Sequence, residues 1–404
     1  MFPACRIQPV STHRFACLVA ILLLAGHTHL ASQNRSQPGP FTFIAIGDAG
    51  YPGPILENTA HAAQRESSRL ANIGDSLNAL LFLGDNFYPN GLNIEKDQRE
   101  TMVEQVIGPH RPLMNALGKK NVLAIAGNHD YYCAMLGPAP YGRCFSGNFY
   151  ESEIPEWTYH FAGPSSVRYA THSGATDSIE LLLFDSALLL NSDRSEWQPY
   201  LDSMETVLRR SAENADVQWR LLFIHHSPYS VGKHAGYKVW DADAGQVAFT
   251  SNCIEEGDDP FKYPERLAGY HEDNCDPVYR EYRDSLFAII QRSGATVQAM
   301  FAGHDHNLQM LNDPARQTPP RIFVVSGAGS KQDKVRSSLP PFIFTHPHNT
   351  PEQKGRSAYG FVAGQVRGEQ LHLWFVDGRD GSRLKMGEAS EFVINRSGTL
   401  VETR

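Results

Sequence analysis

The sequence predicts an α/β fold, and three observations carry that reading. Short apolar runs alternate with longer polar stretches of scattered apolar positions, the pattern of buried strands separated by helices. Most of these runs end in Gly followed by Asp, Asn or His. The chain has 404 residues, 41% of them hydrophobic, enough to bury a large core as one domain with insertions.

The elements follow in order. Residues 32–40 are polar, carry two prolines and form a loose lead-in. Phe41–Ile46 is a buried strand closed by Gly47. A helix over 58–74, a strand over 79–83, a helix over 97–117 and a strand over 121–126 come next. This is a βαβ succession, in which ligands collect at the carboxyl ends of parallel strands. The second half predicts strands over 179–185, 219–224 and 297–301, a helix over 195–210, and an antiparallel finish over 321–326, 358–366 and 370–376. Between them, 236–277 is rich in Gly, Asp and Pro, holds two cysteines, and forms a surface excursion just after His234. The domain therefore runs over 41–380, with a tail at 381–404.

Residues 1–31 are set apart. Arg6, His13 and Arg14 precede an apolar run over 15–26, and small residues follow at Ala31 and Ser32, the layout of a secretory signal. The run is short for a membrane span of about 20 residues. Cleavage near Ala31 leaves Cys133, Cys144, Cys253 and Cys275 in a secreted or periplasmic chain. Loop closure favours the pairs Cys133–Cys144 and Cys253–Cys275, and no CxxC spacing supports metal ligation instead. Asn34 and Asn395 fit the glycosylation sequon. A net charge of −8 gives no reason to expect nucleic acid as a partner.

Five polar blocks carry the chemistry: GDAG at Asp48, GDNFY from Asp85 to Tyr88, GNHD at Asn128, His129 and Asp130, the pair His225-His226, and GHDH at His304 and His306. Oxygen and imidazole donors suit hard and borderline metals. Two metals clamping an in-line displacement need a bridging carboxylate and several such ligands. A single Gly-Asp pair is ordinary turn punctuation; five blocks in this order are not. His61, His110, His160, His172, His271, His346 and His348 have no motif context and read as solvated.

In order and content these blocks resemble the calcineurin-like metallophosphoesterases. Tyr88 in GDNFY, AGHDHNLQ at 302–309 and SGAGSK at 326–331 resemble the small, mammalian-type purple acid phosphatases within them. The resemblance implies a four-layer sandwich, two mixed β-sheets flanked by helices, with a dinuclear metal site at strand carboxyl ends. It implies Fe(III) held by Asp48, Asp85, Tyr88 and His306, and a divalent iron, zinc or manganese held by the bridging Asp85, Asn128, His304 and one His of the pair. A gap-free alignment through Ser230 and His234 selects His225, and one on the following Ser-Pro selects His226. Side-chain alternation lets only one ligate, and His225 is preferred. His129 and His234 resemble the histidines that bind phosphate or protonate the leaving group, with Asn128 beside the substrate. Asp130, Asp305 and Asn307 would orient these groups. The implied activity is acid phosphatase, hydrolysing small phosphate monoesters by attack of a metal-bound hydroxide, as a monomer. The alternatives are a phosphodiesterase or nucleotide hydrolase on the same site, and a binding protein that kept the scaffold.

Overall fold

The computed structural model describes residues 29–30, 40–131, 145–170, 177–232, 234, 239–241, 246–248, 273, 276–313, 315–335, 342–349 and 357–404. The four cysteines, and with them both expected disulfides, lie outside the described residues, as does most of 236–277.

Two mixed eight-stranded sheets face each other. The first half of the chain supplies β1 (Phe41–Ile46), α1 (Pro54–Asn72), β2 (Leu77–Leu83), α2 (Lys96–Ile107), α3 (Arg111–Leu117) and β3 (Val122–Ile125). There follow α4 (Phe145–Ser152), β4 (Thr158–His160), β5 (Ser165–Ala170), β6 (Ser178–Leu183), α5 (Ser186–Leu190), α6 (Arg194–Glu213) and β7 (Val217–Phe223). The chain finishes with α7 (Pro277–Ser293), β8 (Ala299–Ala302), β9 (Leu308–Asn312), β10 (Ile322–Ser326), β11 (Ile343–Thr345), β12 (Gly360–Arg367), β13 (Gln370–Asp377), β14 (Phe392–Asn395) and β15 (Leu400–Thr403).

One sheet runs β15-β14-β13-β12-β1-β2-β3-β4; the other runs from an edge piece, His29–Leu30, through β5-β6-β7-β8-β10-β9-β11. β1 to β4 are parallel to their neighbours, as are β6, β7, β8 and β10. Each sheet thus has a parallel heart, and both hearts send their carboxyl ends toward one site. Residues 381–404, expected as a tail, add β14 and β15 to the first sheet's edge.

Alternation along the strands builds the layers. Phe43 and Ala45 of β1 join Leu81, Leu83, Ile179, Leu181, Leu221, Phe223 and Phe301 between the sheets. Phe43 meets Phe223 and Phe301 edge-on at 5.8 and 5.3 Å. Their neighbours Ile44 and Ile46 turn the other way, onto Leu56, Leu70, Ile107 and Met114 of α1–α3. Leu182 and Leu222 likewise turn onto Leu201 and Met204 of α6 and Leu286 of α7. The order is helices, sheet, sheet, helices. The predicted helix over 97–117 is broken at Gly108-Pro109, where a 3-10 turn at Gly108–His110 separates α2 from α3.

Candidate metal centre

All but one of the sequence-predicted site residues lie just beyond the end of a parallel strand, the exception being His234, which sits in the loop after β7. Asp48 follows β1, Asp85 and Tyr88 follow β2, Asn128 and His129 follow β3, His225 follows β7, and His304 and His306 follow β8. The two sheets meet here, where Gly47 N–H donates to Ser326 O at 2.7 Å, and within the first sheet Asp48 N–H donates to Gly84 O at 3.1 Å. Asp48, Asp85 and His304 all have left-handed backbones, at φ 55°, 53° and 70°. Non-glycine residues hold such angles at a cost, and they concentrate at functional sites. The glycines between the blocks let the loops interlock. A Cβ on Gly127 would stand 2.3 Å from Asp85 Oδ1, and one on Gly327 2.1 Å from Asp305 O.

The donors divide into two groups around Asp85. Tyr88 Oη donates to Asp85 Oδ2 at 2.8 Å and to Asp48 Oδ1 at 2.9 Å, with His306 Nε2 at 3.3 Å. On the other side, His225 Nε2 lies 3.3 Å from Asp85 Oδ1 and 3.0 Å from Asn128 Oδ1. Its Nδ1 meets Leu83 O at 2.7 Å, which fixes the ring. His304 stands edge-on beside it, ring centres 5.2 Å apart. The two oxygens of Asp85 therefore face two separate sets of donors, as a bridging carboxylate requires. Ligand atoms of Asp48, Asp85 and His225 converge within 4.8 Å, as do those of His225, His226 and His304.

The electrostatics are those of a cation site. Asp48 and Asp85 are 0% and 1% exposed, and among the described residues the cationic groups facing them are histidines. Burial raises the Asp48 carboxyl above the usual range, and repulsion by Asp85 adds to it. Burial also pushes Asp85 upward, but attraction to His225, His129 and His304 overcomes it and holds that carboxyl low. Burial drives His225 down, yet Asp85 and Asp48 lift it to about 10. Burial, then Asp48 and Asp85, raise the Tyr88 phenol well above its ordinary value. A bound metal would reverse that last effect. The buried acid, imidazole and phenol donors fit two hard or borderline ions.

The expected alternation at His225-His226 does not hold, because β7 ends at Phe223 and a bend follows. Both rings stay near the site, 4.8 Å apart and nearly perpendicular, and His226 lies 4.4 Å from the His304 ring. The two differ in what they face. His226 Nδ1 is 3.0 Å from Ser186 Oγ, its Nε2 has no hydrogen-bond partner, and burial keeps the ring neutral.

Other expected residues are placed as follows. His129 has a quarter-exposed side chain, Nδ1 against Pro89 O at 2.5 Å, and its N–H donates to Asp85 Oδ1 at 2.9 Å. His234 reaches over the site with its ring 4.3 Å from His304 and 6.2 Å from His306. Asp305 holds it there, accepting from His234 N–H at 2.8 Å and from the Ser230 hydroxyl. Asp130 receives Asn86 N–H at 2.9 Å and Gly127 N–H at 2.7 Å, tying the β2 loop to the β3 loop. Its partners are groups of the two loops, so it orients the ligand loops more than the His129 ring. Burial and the Asp85 charge push it up to about 8. Asn307 accepts from Gln309 at 2.5 Å behind the site.

Three supporting residues had no place in the sequence reading. Asp333 Oδ2 meets His306 Nδ1 at 2.8 Å and sets that ring. Asp185 accepts from the Tyr131 hydroxyl, from Ala162 N–H and from Leu188 N–H, joining the turn after His129 to the second sheet. Ser186 then holds His226. Asp185 and Ser186 follow an apolar strand like the other blocks, and that position was the available signal.

Comparison with known proteins agrees with the geometry. Residues 41–308 match the family model Calcineurin-like phosphoesterase, and the chain belongs to that family. It is similar to Purple acid phosphatase 17 of Arabidopsis thaliana, 22% identical over 353 residues covering 83% of this chain and 84% of that one. It is also similar to tartrate-resistant acid phosphatase type 5 of Sus scrofa, 24% identical over 378 residues, 91% of this chain and 93% of that one. Among solved structures it shares its fold with GAP50, the anchor in the inner membrane complex of Plasmodium (TM-score 0.52, 12% identity, 87% of this chain and 90% of that one). PhoD is comparable (TM-score 0.51, 11% identity, 93% of this chain and 74% of that one). The chain is a metal-dependent phosphoester hydrolase of the dinuclear calcineurin-like type.

Proposed function

We propose that the protein is an acid phosphatase of the purple type, hydrolysing phosphate monoesters at an Fe(III)–M(II) centre. The observation that carries this reading is the Tyr88 hydroxyl, placed between Asp48 and Asp85 at 2.9 and 2.8 Å with His306 at 3.3 Å. In this reading Asp48, Tyr88, His306 and Asp85 hold the ferric ion. Asp85, Asn128, His225 and His304 hold iron, zinc or manganese. His225 takes the ligand role over His226 because its Nε2 faces both Asp85 and Asn128.

When bound, the two metals neutralise charge on the phosphoryl oxygens and acidify water. The chain's own residues do the rest. Asn128 and His129 stand on the turn beside Asp85, where a phosphate oxygen would come to rest. His234 covers the site from the second sheet, and either histidine can hand a proton to the departing oxygen. The proposal includes export by the 1–31 signal and a monomer working outside the cytoplasm. Among the described residues no helix is long and apolar enough to cross a membrane.

The test is a visible absorption spectrum of aerobically purified protein, with metal content on the same sample. A broad band in the green-to-yellow region, lost in Tyr88→Phe, is the expected result. A colourless protein holding two zinc or manganese ions would overturn the ferric–tyrosinate assignment. Faster turnover of a diester than of an aryl monoester would overturn the monoester assignment separately.

A further inference from the structure

Lys331 is the last residue of the SGAGSK run, and its backbone is locked to the metal loop. Gly329 N–H donates to Gly47 O at 3.0 Å. The Ser330 hydroxyl donates to Asp48 O and accepts from Tyr51 N–H at 2.9 Å. This clamp aims the lysine across the mouth of the site. Its Nζ lies 3.2 Å above the centre of the Tyr88 ring and 5.8 Å from that of Tyr51. Tyr51 is 55% exposed and meets Tyr88 edge-on at 6.4 Å. An ammonium ion over an aromatic face is held there by the ring quadrupole. A lysine is always charged in the working range, unlike the histidines that otherwise rim the site. In a chain of net charge −8, a cation beside the phosphoryl position is a local attraction set in a repelling field.

We propose that Lys331 is a substrate-binding residue that selects leaving groups carrying a second anionic group close to the scissile phosphate. Tyr51 is the exposed surface against which that leaving group rests. The shared chemistry is an anion held next to the leaving oxygen, either the second phosphate of a diphosphate or the ortho carboxylate of an aryl phosphate. For a diphosphate, one water is consumed and the P–O–P bond breaks. The scissile phosphorus leaves as orthophosphate, and the leaving phosphate takes the proton. The inference rests on the phosphoester-hydrolase reading, but not on which metals are bound.

The test compares wild type, Lys331→Met and Lys331→Arg as metal-loaded full chains on phenyl phosphate, 2-carboxyphenyl phosphate and inorganic pyrophosphate. Lys331→Met is expected to lower kcat/KM for an anionic leaving group, relative to phenyl phosphate, about tenfold, or about 1.4 kcal/mol. The change should fall in KM more than in kcat, and Lys331→Arg should restore most of it. A loss confined to pyrophosphate points to a second phosphate as the group bound, and a loss on both anionic substrates points to anions generally. Calorimetric binding of methylenediphosphonate and methylphosphonate gives a readout independent of turnover. Lys331→Met should weaken the first at least fivefold more than the second. Equal effects on both ligands and on all three substrates would overturn the proposal. A wild type that hydrolyses none of the substrates, yet shows the selective loss in calorimetry, would sink the phosphatase reading and leave the Lys331 contact standing.

Discussion

Burial of His110 sets a limit on how far the fold withstands acid. His110 lies in the 3-10 turn between α2 and α3, 1% exposed, against the edge of Phe82 at 5.1 Å, and neither ring nitrogen has a hydrogen-bond partner. Read as solvated from the sequence, it is in fact enclosed, and burial with a smaller push from His61 lowers it from 6.5 to about 4. Above pH 6.5 both folded and unfolded chains hold it neutral, so it contributes nothing to the pH dependence. As pH falls from 6.5 to 4 the unfolded chain takes up a proton that the folded one refuses, so stability is lost. The full loss is about 3 kcal/mol, complete near pH 4. His110→Phe keeps the ring and removes both unpartnered nitrogens, so it should be at least as stable at pH 7.5. Urea unfolding of both proteins at pH 7.5 and 4.5 checks this. The variant should lose about 2–3 kcal/mol less across the interval. Parallel pH profiles would refute the reasoning, because they would mean that the folded protein accepts the proton.

Other expectations follow from the same geometry. Asn128→Ala removes a neutral oxygen donor 3.0 Å from His225 Nε2, and should cut bound metal from two ions to about one per chain by elemental analysis, with the Tyr88 band retained. Asp185→Ala strands the Tyr131 hydroxyl and two backbone donors. It should cost about 3 kcal/mol or more by denaturant unfolding and lower kcat through the displaced His129 turn. Asp48→Asn should leave the metal-free protein as stable as wild type, because it relieves the repulsion with Asp85 and Asn tolerates the left-handed backbone. The same variant should lose metal, and a metal-free Asn variant much weaker than wild type in thermal unfolding would contradict this account.

The parallel heart of each sheet was legible because β1, β2, β3, β7 and β8 are short apolar runs with abrupt polar ends. Eight of the nine candidate site residues were legible for the same reason, since their blocks sit at strand exits; His234, in a loop, was reached only through the resemblance. What was missed lacks that signature. β5 reads SSVRYA with half of its positions only partly buried, and β14 and β15 are four-residue strands, the second of them at the sheet's edge. α7 went unread because its apolar stripe is interrupted by Arg280, Arg283 and Asp284. Asp333 and Lys331 escaped because their partners, His306 and Tyr88, are remote in the chain, and spacing cannot show such pairs. The His225-His226 choice turned on alternation, which fails once a strand has ended.

The strained backbones at Asp48, Asp85 and His304 explain why the ligands come as interlocked blocks instead of isolated side chains. A non-glycine residue in the left-handed region costs about 1–3 kcal/mol and persists only where its surroundings over-determine it. Here the ligands over-determine one another. Asp48 Oδ2 accepts from His304 N–H at 2.8 Å, joining the end of β1 in one sheet to the end of β8 in the other. Asp85 Oδ1 accepts from His129 N–H at 2.9 Å, joining β2 to β3. Each carboxylate therefore turns one oxygen to its neighbour's backbone and the other toward Tyr88. The same bonds that hold the strain aim the donors. Burial raises the Asp48 carboxyl most, the facing histidines oppose it, and repulsion by Asp85 adds to it, so a cation bound between the two acids would offset both burial and repulsion. Metal binding and folding stability are therefore coupled through these buried acids and the histidines that face them.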